Sequence, residues 1–304
     1  MDSLFYSLIA FLIAIVPTSF VQLTKPPIDQ TTITFTGDIM LGRSVMGDAV
    51  DRNDYLYPFR NVQSILSDAD ITFGNLENAV IKNCPRQYKG SFSFCTTPEI
   101  AKGLQESGVD VVTLANNHSY NFGVDGFEET KQNLNNLGIK SVGWGNLEII
   151  EKDGIKFGFL GFDYVTSKVN LDRDLDLIKT SNPKVDVLIV SPHWGEEYKA
   201  VANNFQTDLA KRMVENGADL IIGHHPHWVQ NRDEINGVQV YYSLGNFIFD
   251  QMWSEETKKG MVVKISFEGK QINKQSLPLR GKREEFQTYT PKIGQPIIIT
   301  SDTD

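Results

Sequence analysis

From Thr32 onward the chain repeats a three-part unit, and no other feature constrains its fold as strongly. A short apolar run comes first, a polar cluster follows directly, then a helical stretch. The runs are Ile33-Thr34-Phe35, Ile71-Thr72-Phe73, Val109 to Leu114, Val185 to Val190, Ala218 to Ile222 and Val238 to Leu244. They are rich in Val, Ile and Phe and bounded by Gly, Asn or Pro, which favours strands covered on both faces. The stretches between them are amphipathic, with recognisable ends. Thr97 and Pro98 open one helix, Ile100 and Leu104 form its apolar stripe and Gly108 stops it. Phe127, Leu134 and Leu137 mark a second that ends at Gly138; Leu209, Met213 and Val214 mark a third that ends at Gly217. Strands alternating with helices predict an α/β fold, with a mostly parallel sheet and helices on its faces. After Gly260 the pattern changes to short strands, Met261 to Phe267 and Pro296 to Thr300, so residues 261–304 read as a β-rich extension of the same domain.

A chain of 304 residues suffices for one large domain, placed here at 32–260 plus that extension. Residues 1–23 are different. Leu4 to Val21 carries no charge and is close to the ~20 residues a membrane-spanning helix needs. Only Asp2 precedes it, and no clean small-x-small cleavage site follows, which favours an uncleaved anchor over a cleaved signal. Residues 24–31, with Pro26 and Pro27, read as a stiff linker. A net charge of -9 argues against a nucleic-acid partner. The two cysteines, Cys84 and Cys95, flank a polar loop and lack zinc-pair spacing. They are either a disulfide, if the domain lies outside the cytoplasm, or two free thiols.

The polar clusters carry the chemistry. Gly37-Asp38 follows the first run, Gly74-Asn75-Leu76-Glu77 the second and Asn116-Asn117-His118 the third. His193-Trp194-Gly195 follows the fourth, Gly223-His224-His225-Pro226-His227 the fifth and Gly245-Asn246 the sixth. In open α/β sheets ligands bind at the carboxyl ends of strands, so these clusters are expected to converge. All five histidines of the chain lie in them, a distribution that packing alone does not produce. His225 and His227, two apart on an extended segment, would point to one side, and His224 would then point away. Asp38 and Glu77 add hard oxygen donors and Asn117 a neutral one. This mixture suits Mn²⁺, Fe²⁺ or Zn²⁺, as one ion or a carboxylate-bridged pair. Arg43 is a candidate for holding an anionic group of a substrate, Glu196 or Glu197 for bonding substrate or orienting His193, and Asn246 for support behind the ligands. Trp194 and Trp228 are candidate pocket walls. Gly37, Gly74, Gly223 and Gly245 are expected to turn the backbone sharply into the site.

The stretches GDIMLGR, GNLE, LANNHSYNFG, PHWGEEY, GHHPHWVQ and SLGNFIFD, in this order, resemble the CapA-type poly-γ-glutamate capsule biosynthesis proteins, a branch of the calcineurin-like metallophosphoesterase fold. The resemblance implies a four-layer αββα core and a membrane-attached location with the domain on the extracytoplasmic side. It also implies a partner that is an anionic capsule polymer or its phosphorylated precursor, together with capsule-synthesis membrane subunits. Metal ligands would be Asp38, Glu77, Asn117, His193, His225 and His227. Glu77 would bridge two ions, and His118 would act at the leaving group. Two positions depart from the pattern. Met40 stands where the D-x-H motif has its histidine, and Asn121 where the capsule family usually has an aspartate that would raise the basicity of His118. The chain therefore reads as a metal-dependent hydrolase, or alternatively as a non-catalytic assembly or export subunit that binds an anionic polymer on the same fold.

Overall fold

The computed structural model describes residues 30–87, 90–166, 169–268, 285–292 and 295–300. The expected anchor at 1–23 and most of the linker lie outside them. Among the described residues no helix is long and apolar enough to cross a membrane.

Two sheets form the centre. The first contains β1 (Gln30–Ile39), β2 (Ile71–Leu76), β5 (Val111–Thr113), β6 (Lys140–Val142), β13 (Asn246–Ile248), β14 (Gly260–Glu268), β15 (Glu285–Lys292) and β16 (Gln295–Thr300). Its order is β16-β15-β14-β1-β2-β5-β6, and β13 pairs with the end of β1 at Asp38 and Ile39. β1, β2, β5 and β6 are parallel; β14 to β16 continue from β1 as an antiparallel flank. The second sheet contains β7 (Glu148–Lys152), β8 (Ile155–Asp163), β9 (Val187–His193), β10 (Leu220–Ile222), β11 (Arg232–Ile235) and β12 (Val238–Tyr241). Its order is β11-β12-β10-β9-β8-β7, with parallel inner strands and antiparallel edges. β3 (Ala79–Val80) and β4 (Cys95–Thr96) form a separate small pair. The helices are α1 (Arg43–Asp51), α2 (Gln63–Leu66), α3 (Pro98–Glu106), α4 (Gly123–Asn136), α5 (Leu171–Ser181) and α6 (Asn204–Glu215).

Strand periodicity sorts the side chains into three apolar layers. On β9, Val187 and Ile189 point between the sheets, whereas Leu188 and Val190 point toward α5 and α6. On β5, Val111 points between the sheets and Val112 toward α3 and α4. The middle layer also holds Ile33, Phe35, Phe73, Phe157 and Phe159, all but buried from solvent. The result is the αββα sandwich that the resemblance implies; the apolar runs taken alone suggest one mostly parallel sheet, not two. Side-chain alternation shows that a strand is covered on both faces, but not which sheet it joins.

β1 starts at Gln30, inside the expected linker, because Thr31 and Thr32 pair with β14, and the Thr31 hydroxyl donates to Asp153 at 3.0 Å. Cys84 and Cys95 are bonded to each other, with Cα atoms 5.7 Å apart. Closing a loop of this length removes chain entropy from the unfolded state and stabilises the fold by about 3 kcal/mol.

Candidate metal centre

The parallel strands of both sheets deliver polar side chains to one shared end, and the pairing register decides which of them meet. Asp38 lies opposite Asn75 on β2 and opposite Asn246 on β13. The Asn75 amide nitrogen donates to Asp38 Oδ1 at 2.9 Å and to Glu77 Oε1 at 2.8 Å, so it ties the two carboxylates together. Asn116 Nδ2 in turn donates to Asn75 Oδ1 at 3.1 Å and to the Leu76 carbonyl at 2.9 Å. Neither Asn75 nor Asn116 is a sequence-level candidate. Their signal is a buried amide at the end of an otherwise apolar run, a placement that needs partners.

The histidine segment after β10 departs from its expected shape. His225 and His227 have φ of +100° and +56°, so the backbone turns instead of running extended. His224 therefore does not point away: its Nδ1 lies 3.1 Å from Asp38 Oδ1, and His227 Nδ1 lies 3.1 Å from Asp38 Oδ2. Period-two reasoning ends with the strand at Ile222. His227 Nδ1 is also 3.0 Å from Asn246 Oδ1, whose amide nitrogen is fixed by the Thr257 carbonyl at 2.9 Å. With Nδ1 donating, the His227 Nε2 lone pair faces Glu77 Oε2 across 4.0 Å. That gap is too long for a hydrogen bond and is within what two ligands, each about 2.0–2.2 Å from one ion, span.

Asp38, Glu77 and His227 are all buried and offer one ligand atom each, all within 4.8 Å of one another. Glu77 Oε2, His224 Nε2 and His225 Nδ1 are buried without a hydrogen-bond partner, as unused donors to a cation would be. The donor set suits a divalent ion, and this group could bind one. Its electrostatics agree. Burial pushes the Asp38 carboxyl up, but hydrogen bonds from His224 and His227 hold it well below the usual range. Burial and the neighbouring Asp38 push Glu77 well above its usual range. One site thus holds two carboxylates that repel each other where water cannot screen them.

The remaining candidates surround this group. His193 Nε2 donates to Asn117 Oδ1 at 2.9 Å, and its Nδ1 is 3.4 Å from Asn75 Nδ2 and 3.8 Å from Glu77 Oε1. Asn117 Nδ2 reaches His118 Nε2 at 3.3 Å. His118 Nδ1 meets Asn121 Oδ1 at 3.0 Å, and the same oxygen accepts the Phe94 amide at 2.8 Å, which fixes the orientation of the Asn121 side chain. The His118 ring stacks on Phe94, with centroids 4.1 Å apart. Burial lowers His118 to about 4, and lowers His225, whose ring lies 4.8 Å from that of His193, to about 4 as well. Burial also holds His193 well below its usual value, so these three rings are neutral at pH 7.

Arg43 is already engaged through both terminal nitrogens, with only Nε unpartnered. It is buried, bonded to Asp250 and to the Ser91 carbonyl, and its guanidinium lies 4.6 Å over the Phe94 ring. Asp250, absent from the candidates, neutralises it. Glu197 is exposed beside the site, and its charge contributes to the upward shift of Glu77. Trp194 is no pocket wall: it is buried under α6 and donates to the Tyr242 carbonyl at 2.8 Å. Met40 packs in the layer below α1 and α3, its sulfur accepting the Gly42 amide. Gly37 and Gly223 do not turn the chain. A Cβ on Gly37 would lie 2.0 Å from the Gly245 carbonyl oxygen, and one on Gly223 2.2 Å from that of Tyr242, so both allow backbones to touch.

A buried histidine–carboxylate cluster across the strand ends of an αββα sandwich defines a protein with a candidate divalent-metal centre. The chain belongs to the family described as bacterial capsule synthesis protein PGA_cap, whose model matches residues 32–251. It is 33% identical over 261 residues to the capsule biosynthesis protein CapA of Bacillus anthracis, covering 77% of this chain and 63% of that one. It is 32% identical over 257 residues to the PGA biosynthesis protein CapA of Bacillus subtilis, covering 77% and 67%. The chain thus spans about two thirds of the length of these relatives. Among solved structures, a hypothetical protein from Thermus thermophilus superposes with a TM-score of 0.53 at 14% identity, over 79% of this chain and 95% of the other, a likeness of fold.

Proposed function

We propose that this protein is a membrane-attached, metal-dependent hydrolase of the capsule system, acting on a phosphoester or related linkage of an anionic capsule polymer or its phosphorylated precursor. The observation that carries the reading is the pair of buried carboxylates, Asp38 and Glu77, with Glu77 Oε2 unpartnered and facing His227 Nε2. A cation would relieve their repulsion and satisfy the orphaned Glu77 Oε2, with His227 Nε2 as a second ligand. Bound there, Mn²⁺, Fe²⁺ or Zn²⁺ supplies Lewis-acid polarisation of a phosphoryl oxygen and a water acidic enough to attack at neutral pH. Asp38, Glu77 and His227 would hold the first ion; His193, His225 and Asn117 line the adjoining space. Asn75 keeps the carboxylates in place. With Nδ1 donating to Asn121, His118 Nε2 carries no proton and accepts from Asn117 Nδ2, so it takes up a proton before it can serve a leaving oxygen. The Cys84–Cys95 disulfide supports a domain on the extracytoplasmic side, where such bonds persist.

Metal analysis of the purified chain tests the centre. One or two equivalents of transition metal are expected, with loss of metal and of phosphodiester hydrolysis in Glu77→Gln. A folded protein that takes up no metal when offered all three overturns the reading. Met40 supports a second reading, an assembly or export subunit, because its side chain supplies no donor where the D-x-H motif has a histidine. Capsule output unchanged by Glu77→Gln would favour that reading.

A further inference from the structure

Beside the metal centre lies a cavity of about 300 Å³, bordered by Asn116 and Asn117 on one side and by Asp163, Thr166 and Arg173 on another. We propose that this cavity binds an uncharged sugar ring, seated on Tyr120 and Trp144 and opening onto Asn117. The turn His118-Ser119-Tyr120-Asn121, closed by the Asn121 amide on the His118 carbonyl at 3.1 Å, builds the wall from the same residues that frame the centre. Tyr120 stacks on Phe127, centroids 4.6 Å apart, and meets Trp144 edge-on at 5.0 Å and 70°. Trp144 sits at φ +58°, a left-handed conformation that is strained for a bulky residue. Its indole nitrogen donates to the Leu114 carbonyl at 3.1 Å, so the surroundings hold the ring in this strained position. Tyr120 and Trp144 are 42% and 43% exposed, so each keeps surface that a ligand can cover.

The chemistry of the polar lining selects the ligand. Arg173 donates to Asp174 Oδ1 through Nε at 3.0 Å and Nη2 at 2.8 Å, which balances its charge. Asp163 adds a carboxyl held by the Val165 amide at 2.9 Å and by Thr166. The lining therefore carries no excess positive charge to attract carboxylates or phosphates. The two aromatic rings meet at an angle, so a flat base has no parallel slot between them. A pyranose ring satisfies both walls: its C–H face covers an aromatic face, and its hydroxyls reach carboxylate, amide and hydroxyl groups. The volume is at the small end of ligand sites, suiting one or two such rings. The sugar site stands on the lining alone; only the further step, that a sugar bound here carries the phosphoester acted on, rests on the hydrolase reading.

The test is calorimetric titration of the full chain with trisaccharides of N-acetylglucosamine, glucose and galactose, with AMP and γ-linked triglutamate as comparators. At least one trisaccharide is expected to bind, with Kd raised tenfold or more in Trp144→Ala and less than threefold in Trp144→Phe, which keeps a ring. Glu77→Gln should leave sugar affinity within twofold. No binding by any trisaccharide, equal binding by Trp144→Ala, or Trp144-dependent binding of AMP or triglutamate instead of sugar would overturn the proposal. Sugar binding without metal uptake removes the hydrolase reading alone; metal uptake without sugar binding removes the sugar site alone.

Discussion

Glu77 is held against its own preference: buried, beside Asp38, with one oxygen unpartnered. In metal-free protein, Glu77→Gln should therefore stabilise, by about 1 kcal/mol, or roughly 2–4 °C in melting temperature for a domain of this size. The same change abolishes metal uptake, so calorimetry with and without added metal should move in opposite directions. Asn121 sets the state of His118 in a related way. An amide oxygen orients the ring without adding charge, and burial leaves His118 at about 4. Asn121→Asp places a carboxylate 3.0 Å from Nδ1, and NMR titration should show His118 rising by at least one unit. An unchanged value would mean that burial alone decides it.

These buried neutral rings also predict a pH dependence. His118 and His225 titrate near 6.5 when unfolded and at about 4 when folded. Between those values the unfolded chain binds more protons, so metal-free stability falls as pH drops from about 6.5 to 4. Each ring contributes at most about 3 kcal/mol to that loss. Asp38, depressed by its histidines, adds to the loss at still lower pH, while Glu77, raised, acts in the opposite direction as pH increases. Urea midpoints measured from pH 4 to 7.5 check the slope; a flat profile would contradict it.

At the scale of elements, the loop closed by Cys84 and Cys95 connects the small β3–β4 pair to the centre. It carries Phe94, which stacks on His118 and donates to Asn121, and Ser91, whose carbonyl holds Arg43. Cys95→Ser should lower stability by about 3 kcal/mol and broaden the His118 resonance as Phe94 loosens. Helix ends are legible in the sequence. Pro98 opens α3, and Gly138 and Gly217 lie just past α4 and α6, because caps and stops are local chemistry. The histidine segment departs from its extended expectation for the converse reason: its left-handed residues are set by where His224 and His227 must go, not by neighbours in sequence.

At the scale of the whole molecule, alternating apolar runs, each followed by a polar cluster, determine by themselves an α/β fold with candidate ligands at strand ends. They follow from local physics, since side-chain period and backbone propensity act within a few residues. Only the tertiary structure decided that the strands divide into two sheets, that Asn75 joins two carboxylates, that His224 turns inward and that Arg43 is claimed by Asp250. Each of these depends on the register and packing of segments far apart in the chain. Which buried polar atoms find partners, and which are left to face a cation, is fixed only when those segments meet.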